Sequence, residues 1–308
     1  MTDLTSPIFT NEAAATAHME ADRWPNGVTC PLCGSDNVTK MRGKTQAGMF
    51  QCNGCRDKFT VRTGTIFERS HIPLHKWLLA THLLASSKKG ISAHQLMRML
   101  GFGSYRTAWF MAHRIRLAME PTDNGPLGGA GMIVEADETE VSYSRKTKKT
   151  PARTRKNAKK FVSLVERGGK VRSKVITGKG ESIATQVRNA VKENLDPAST
   201  LHTDGAMHYR RTYVPAKHES VDHEREYART DKDGDRVHVN SAEGYFSIFK
   251  RGLVGTYQHM SPQHLHRYLA EFDFRMSNRV RLGVDDAQRA NRILKGAEGK
   301  RLTYHQPH

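Results

Sequence analysis

Two C-x-x-C pairs, Cys30 with Cys33 and Cys52 with Cys55, constrain this chain more than any other feature, because together they use every cysteine it has. Four thiolates at that spacing suit one tetrahedral zinc ion, and the residues between the pairs can form the short hairpin of a ribbon. Gly34 and Gly54 are expected to supply the tight turns that let paired thiolates converge. A redox dithiol is the rival for either pair alone, but two pairs together favour metal. With no ligand position left open, that metal is expected to be structural. The opening residues lack a basic stretch followed by an apolar one, so no secretory signal is read there. A reducing, cytoplasmic setting is expected, where disulfides are rare.

Charge narrows the partners. Lys and Arg number 49 against 31 Asp and Glu, a formal net charge of +18. Such an excess suits a polyanion, and nucleic acid is the commonest one, since each neutralised phosphate releases counterions. The best apolar run, "WLLATHLLA" at 77–85, is far short of the ~18 residues of a membrane span.

Five segments follow from composition and periodicity: an N-terminal helical arm (1–23), the ribbon (24–64), a helical region (65–122), an α/β domain (126–282) and a basic C-terminal tail (283–308). Within the helical region, "ISAHQLMRMLG" and "YRTAWFMAHRIRLAM" read as two short helices joined by a Gly-containing turn. That pattern fits a helix-turn-helix, with Arg106, His113, Arg114 and Arg116 of the second helix outside and Arg106 and Arg114 offered to DNA. A plain helical packing module stays open as the alternative.

Past the glycines near 128–131 the pattern changes to strands at "MIVEADETEVSY", "KFVSLVERGG" and "KVRSKVITGKG", a helix at "ESIATQVRNAVKENL", and a strand at "STLHTDG". Three strands, a helix and a fourth strand make a mixed α/β sheet of ribonuclease-H-like order. The stretch 145–160 carries nine Lys or Arg and no acid. Between two strands of a nucleic-acid enzyme it is expected to grip a backbone, through Arg153 and Arg155 among others.

Asp137 falls in the first strand and Asp204 at the end of the fourth, which lie side by side in that order. Glu243, on the later helix "HVNSAEGYFSIFKRGL", can complete a three-carboxylate cluster. Paired divalent metals need such oxygen ligands, Mg²⁺ taking carboxylates, water and phosphate rather than nitrogen or sulfur. Seven residues bring Lys250 to within about 20° of Glu243 on the helix surface, so it and its neighbour Arg251 are placed to hold a phosphate next to the reacting one. Ser241 or Asn240 can cap this helix, and Phe246, Phe249 and Leu253 form its buried stripe. His202 shares a sheet face with Asp204, and Asp273 is expected to pair with Arg275 or Arg279.

The segments "VEADET", "LHTDG", "HVNSAEGYFSIFKRGL" and "YLAEFDFRMSNR" together resemble the DDE transposases of the IS1595 group, with their ISXO2-like domain, and "RWPNGVTCPLCGS" is similar to the zinc ribbon that precedes it. The resemblance implies an acidic triad, here Asp137, Asp204 and Glu243, that binds two Mg²⁺ ions (Mn²⁺ as a substitute). Its implied work is to cleave at transposon ends and join the freed 3′-hydroxyl to target DNA. His238 and Asn240 match the H-x-N ahead of the third acid, and Lys250 a basic position after it. The implied partners are double-stranded DNA, as terminal inverted repeats and target, and further copies of the chain on that DNA, at the bacterial nucleoid. Two other readings stay open: a stand-alone metal-dependent nuclease, and a domesticated zinc-ribbon regulator whose acids are idle.

Overall fold

The hairpin expected between the cysteine pairs is a three-stranded antiparallel sheet, preceded by a helix. The computed structural model describes residues 3–123, 125–141, 159–209, 217–222 and 225–303. Helix α1 (Glu12–Arg23) opens on Asn11, whose side chain accepts from the Ala14 amide at 3.0 Å. The ribbon strands are β1 (Val38–Lys40), β2 (Met49–Cys52) and β3 (Lys58–Thr60), in that spatial order. Their core is small: Trp24 meets Phe50 and Phe59 edge-on, and the two phenylalanines stack at 5.5 Å.

The chain divides into two units, 1–120 with 285–308, and 121–284. In the first, α2 (Leu74–Ser86) is apolar almost all round and buries Leu74, Trp77, Leu78, Leu84 and Ala85. Helices α3 (Ala93–Leu100) and α4 (Tyr105–Met119) pack on each other across a turn at Gly101, whose φ of +63° closes the end of α3. A glycine suits that left-handed position because it has no Cβ to clash.

The basic segment at 283–308 contains a packed helix. Residues Asp286–Lys295 form α8, the last helix in chain order, which packs against α2 and α4. The turn after it is stitched to the segment following β3 by one isolated bridge, Ile66 N donating to Ala297 O (3.1 Å) and Gly299 N to Gly64 O (2.8 Å).

Because α8 closes over α4, that helix is enclosed on more sides than its own periodicity indicates. His113, Arg114 and Arg116 are buried, contrary to their expected exposure, whereas Arg106 at the start of α4 is exposed. Arg114 donates from Nη2 to the Glu68 carbonyl at 2.7 Å, and its guanidinium lies 5.3 Å from the Trp77 ring and 5.8 Å from that of Phe110. It is held by packing and is not offered to solvent. Arg114→Ala is therefore expected to cost about 3 kcal/mol of stability, from a charged hydrogen bond and a desolvated cation–π contact. Thermal melting checks this, and DNA affinity measured where the variant is still folded should be unchanged.

The second unit is a five-stranded mixed sheet in the order β6-β5-β4-β7-β8: β4 (Ile133–Val141), β5 (Lys159–Glu166), β6 (Val171–Ile176), β7 (Thr200–Asp204) and β8 (His218–Val221). The β4–β5 and β5–β6 pairs are antiparallel, and β4–β7 and β7–β8 parallel. Helix α5 (Ile183–Asn194) covers one face, burying Val187, Ala190 and Val191 against Val134, Ala136, Val162 and Leu164. On the other face α6 (Asn240–Gly252) and α7 (Leu265–Ser277) bury Tyr245, Phe246, Phe249, Leu269 and Phe272 against Phe161, Val165 and Val171. This is the ribonuclease-H-like arrangement expected from the sequence.

Candidate active site

Strand alternation decides which acids can meet. On β4 the even residues Val134 and Ala136 enter the α5 side of the core, so Glu135 and Asp137 face α6. The parallel pairing of β4 with β7 runs to Ala136 opposite Thr203, and the next residue on each strand is Asp137 and Asp204. Glu243, in the first turn of α6, lines a cavity of about 680 Å³ together with Asp137, Glu138, Ser247, Lys250 and Arg251. The Asp137 carboxyl is pushed up to about 7, by burial first, then by the neighbouring negative charge of Asp204, with Glu138 and Glu243 adding to it. Asp204, beside Asp137 on the next strand, and Glu243, on the wall of the Asp137 cavity, thus both bear on Asp137, and Lys250 lies on the same cavity wall as Glu243.

That donor set is made of hard oxygens whose charges oppose one another, which suits a small divalent cation and does not suit zinc's preferred sulfur and nitrogen ligands. In the ribbon the four cysteine sulfurs lie within 4.8 Å of one another, with Cys30 to Cys55 at 3.8 Å and Cys33 to Cys52 at 3.5 Å. A tetrahedron with Zn–S of about 2.3 Å has edges of about 3.8 Å, so these residues fit one zinc ion. Only the first knuckle turns as expected, at Gly34 (φ +78°). In the second the left-handed residue is Arg56 (φ +67°), not Gly54.

Two residues behind each strand acid lies a buried polar residue: Glu135, which its sequence context does not distinguish, and His202, expected on the sheet face of Asp204. Glu135, fully buried, accepts from Arg167 Nε (2.7 Å), from Ser241 Oγ (3.0 Å), and from the backbone amides of Ser241 (2.7 Å) and Ala242 (3.2 Å). Those amides belong to the first turn of α6, which has no side-chain cap of its own, so the expected capping by Ser241 or Asn240 is corrected: the cap comes from β4. His202, opposite Glu135 on β7, is kept neutral, its pKa lowered to about 4 by burial and by the charge of Arg167, whose Nη2 lies 3.1 Å from Nδ1. His238 is drawn into the same cluster, its Nδ1 3.2 Å from Glu135 Oε1. It underpins the helix start and does not face the acid cavity. Burial pushes its pKa down.

Glu138, next to Asp137, is held from the other side by Tyr209 Oη at 2.7 Å and His208 Nε2 at 3.0 Å. Asp273 does not pair with arginine: it is buried, accepting from Ser173 N and Oγ, both at 2.7 Å, and from Tyr245 Oη, while Arg275 pairs with Glu271. Asn240 and Arg251 are exposed. Arg153 and Arg155 lie outside the described residues. Among the described residues no helix is long and apolar enough to cross a membrane.

Comparison with known proteins agrees with this layout. Residues 126–277 match the family model of the ISXO2-like transposase domain, and residues 10–58 that of the transposase zinc-ribbon domain. The second match begins within the segment that carries α1, so the helix goes with the ribbon. The chain is also 28% identical over 288 residues to an uncharacterized protein in transposable element ISH50 of Halobacterium salinarum (strain ATCC 700922 / JCM 11081 / NRC-1), the alignment covering 87% of this chain and 91% of that protein. With both domain types present in that order on the expected sheet and cysteine cluster, the chain belongs to the IS1595 family of transposases.

Proposed function

We propose that the protein binds the ends of its own insertion sequence and catalyses Mg²⁺-dependent DNA strand cleavage, followed by transfer of the freed 3′-hydroxyl to target DNA. What supports this reading is the placement of Asp137 and Asp204 on adjacent parallel strands, with Glu243 on the cavity that Asp137 lines and on a helix whose start is tied to the first strand. When bound, a pair of divalent ions would activate the attacking water or hydroxyl and stabilise the leaving oxygen. The three carboxylates would hold them. Lys250 would orient the neighbouring phosphate, and the closed polar cluster beneath α6 would keep Glu243 at its position relative to Asp137. The zinc held by Cys30, Cys33, Cys52 and Cys55 would be structural. Arg106, at the exposed start of α4, would enter the DNA groove as the leading end of a recognition helix does.

The test is strand cleavage and joining of a labelled duplex carrying the element's terminal repeat, with Mg²⁺, comparing wild type with Glu243→Gln. Cleavage and joining in wild type, with at least a ~10²-fold loss in the variant, is the expected result. Equal activity in both would remove Glu243 from the site. End binding by wild type without any cleavage would favour the regulator.

A further inference from the structure

Helix α6 divides two concavities. One is the acid cavity. The other, of about 550 Å³, lies between the β5–β6 turn, α6 and the segment after α7, and is lined by Arg167, Asn240, Ser247, Arg251, Arg279 and Arg281 among others. A single carboxylate, Glu166, lines it against those four arginines.

The charge of Arg167 is already matched by Glu135 at 2.7 Å. The other three arginines have no carboxylate within ion-pair reach among the described residues. Arg251 donates to the Ser247 carbonyl (3.1 Å) and Arg279 to the carbonyls of Met276 (2.7 Å) and Gly169 (3.4 Å), neutral partners that aim the guanidiniums without neutralising them. Burial, and then the like charge of Arg281, push the pKa of Arg279 down. Four guanidiniums gathered in a hollow with one lining carboxylate, Glu166, which pairs with none of Arg251, Arg279 and Arg281, leave it with excess positive charge and arranged for an anion, and their planar forks match phosphate oxygens.

The form of that anion follows from the ridge between the hollows. Ser247 and Arg251 line both cavities and stand one helical turn apart, beside Glu243 and Lys250. A polyanion lying across this ridge can place one group before the acids and adjoining groups among the arginines. A single small anion would fill one hollow and ignore the shared wall.

We infer that the arginine hollow is a phosphate-binding site for the DNA strand on which the acids act, seating phosphodiester groups that adjoin the reacting one. This rests on the DNA-cleaving reading above for its choice of ligand. The arginines would grip backbone, so they add affinity without adding sequence preference.

Equilibrium binding of the full chain to a fluorescein-labelled DNA duplex, read by anisotropy over a range of salt without added Mg²⁺, tests it. Arg251 and Arg281 are exposed, so Arg251→Ala with Arg281→Ala should leave the fold intact, checked by thermal melting. The double variant is expected to bind roughly 10-fold or more weaker near ~0.1 M salt, and the slope of log K against log[salt] to shrink by about 2, one for each phosphate that is no longer neutralised. Lys192→Ala, on α5 across the sheet, should move neither by more than a factor of about 2. Unchanged affinity and slope in the double variant would overturn the inference, as would an equal loss per charge in Lys192→Ala. Because binding is read apart from cleavage, a wild type that binds through these arginines but never cuts would sink the preceding reading alone. One that cuts while the double variant binds normally would sink this one alone.

Discussion

Stripping zinc from the folded protein with a chelator is expected to unfold the ribbon, and Cys52→Ser to prevent its folding. Its three strands are short, and its apolar core is little more than Trp24, Phe50 and Phe59, too small to offset the conformational entropy of ordering the segment. Four thiolates around one metal supply what is missing, on the order of 10 kcal/mol in small zinc modules near neutral pH. Trp24 is 9% exposed and packed edge-on to both phenylalanines, so its fluorescence should shift to the red as the metal leaves. The unit at 121–284 contains no cysteine and should keep its own melting transition. Metal analysis finding no zinc in a folded protein, together with an unchanged melt under chelator, would refute this.

The second large effect is expected at Glu135. Replacing it with Leu leaves Arg167 without its counter-charge and the first turn of α6 without its cap, and breaking a buried pair in this way costs about 3–5 kcal/mol, with roughly 1 more for the cap. For a unit of this size that lowers the melting temperature by about 10 °C. Strand cleavage should fall as well, although Glu135 does not line the acid cavity, because the helix that carries Glu243 loses its attachment to the strand that carries Asp137. Removing both partners separates the two consequences. With Glu135→Leu and Arg167→Met, much of the stability should return, since no orphaned charge remains, while cleavage stays depressed because the cap is still missing. A single variant that melts like wild type would dismiss the anchor, and full recovery of cleavage in the double would reduce it to a packing role.

What could be read in advance followed the locality of each feature. The cysteine set is legible because its ligands are close in sequence and their spacing is the geometry. Asp137 and Asp204 are legible because strand order alone makes them neighbours, and Glu243 because helical spacing links it to Lys250. Glu135 is not distinguished by the sequence: "VEADETE" holds four acids in seven residues, and only the approach of a helix more than a hundred residues later separates the capping acid, Glu135, from Asp137 on the cavity. A signal was present in the alternation that puts Glu135 on the same face as Asp137, one pleat further in. Arg114 was misplaced for a similar reason, as the pattern of α4 cannot reveal that a helix beginning at Asp286 will cover its charged side. Arg56 shows the limit of glycine as a guide, the turn having taken its left-handed residue two places later.

The placement of α8 also sets an order of events during synthesis. Its partners α2 and α4 leave the ribosome before the whole of 121–284 is made, and at ~5–20 residues per second that interval lasts on the order of 10 s. Through it the part of α2 and α4 that α8 covers stays open, while the ribonuclease-H-like unit that follows them in the chain can already close. A gene copy broken just before the codons of α8 would keep every cysteine and Asp137, Asp204 and Glu243, and still deliver a helical unit that lacks its last helix.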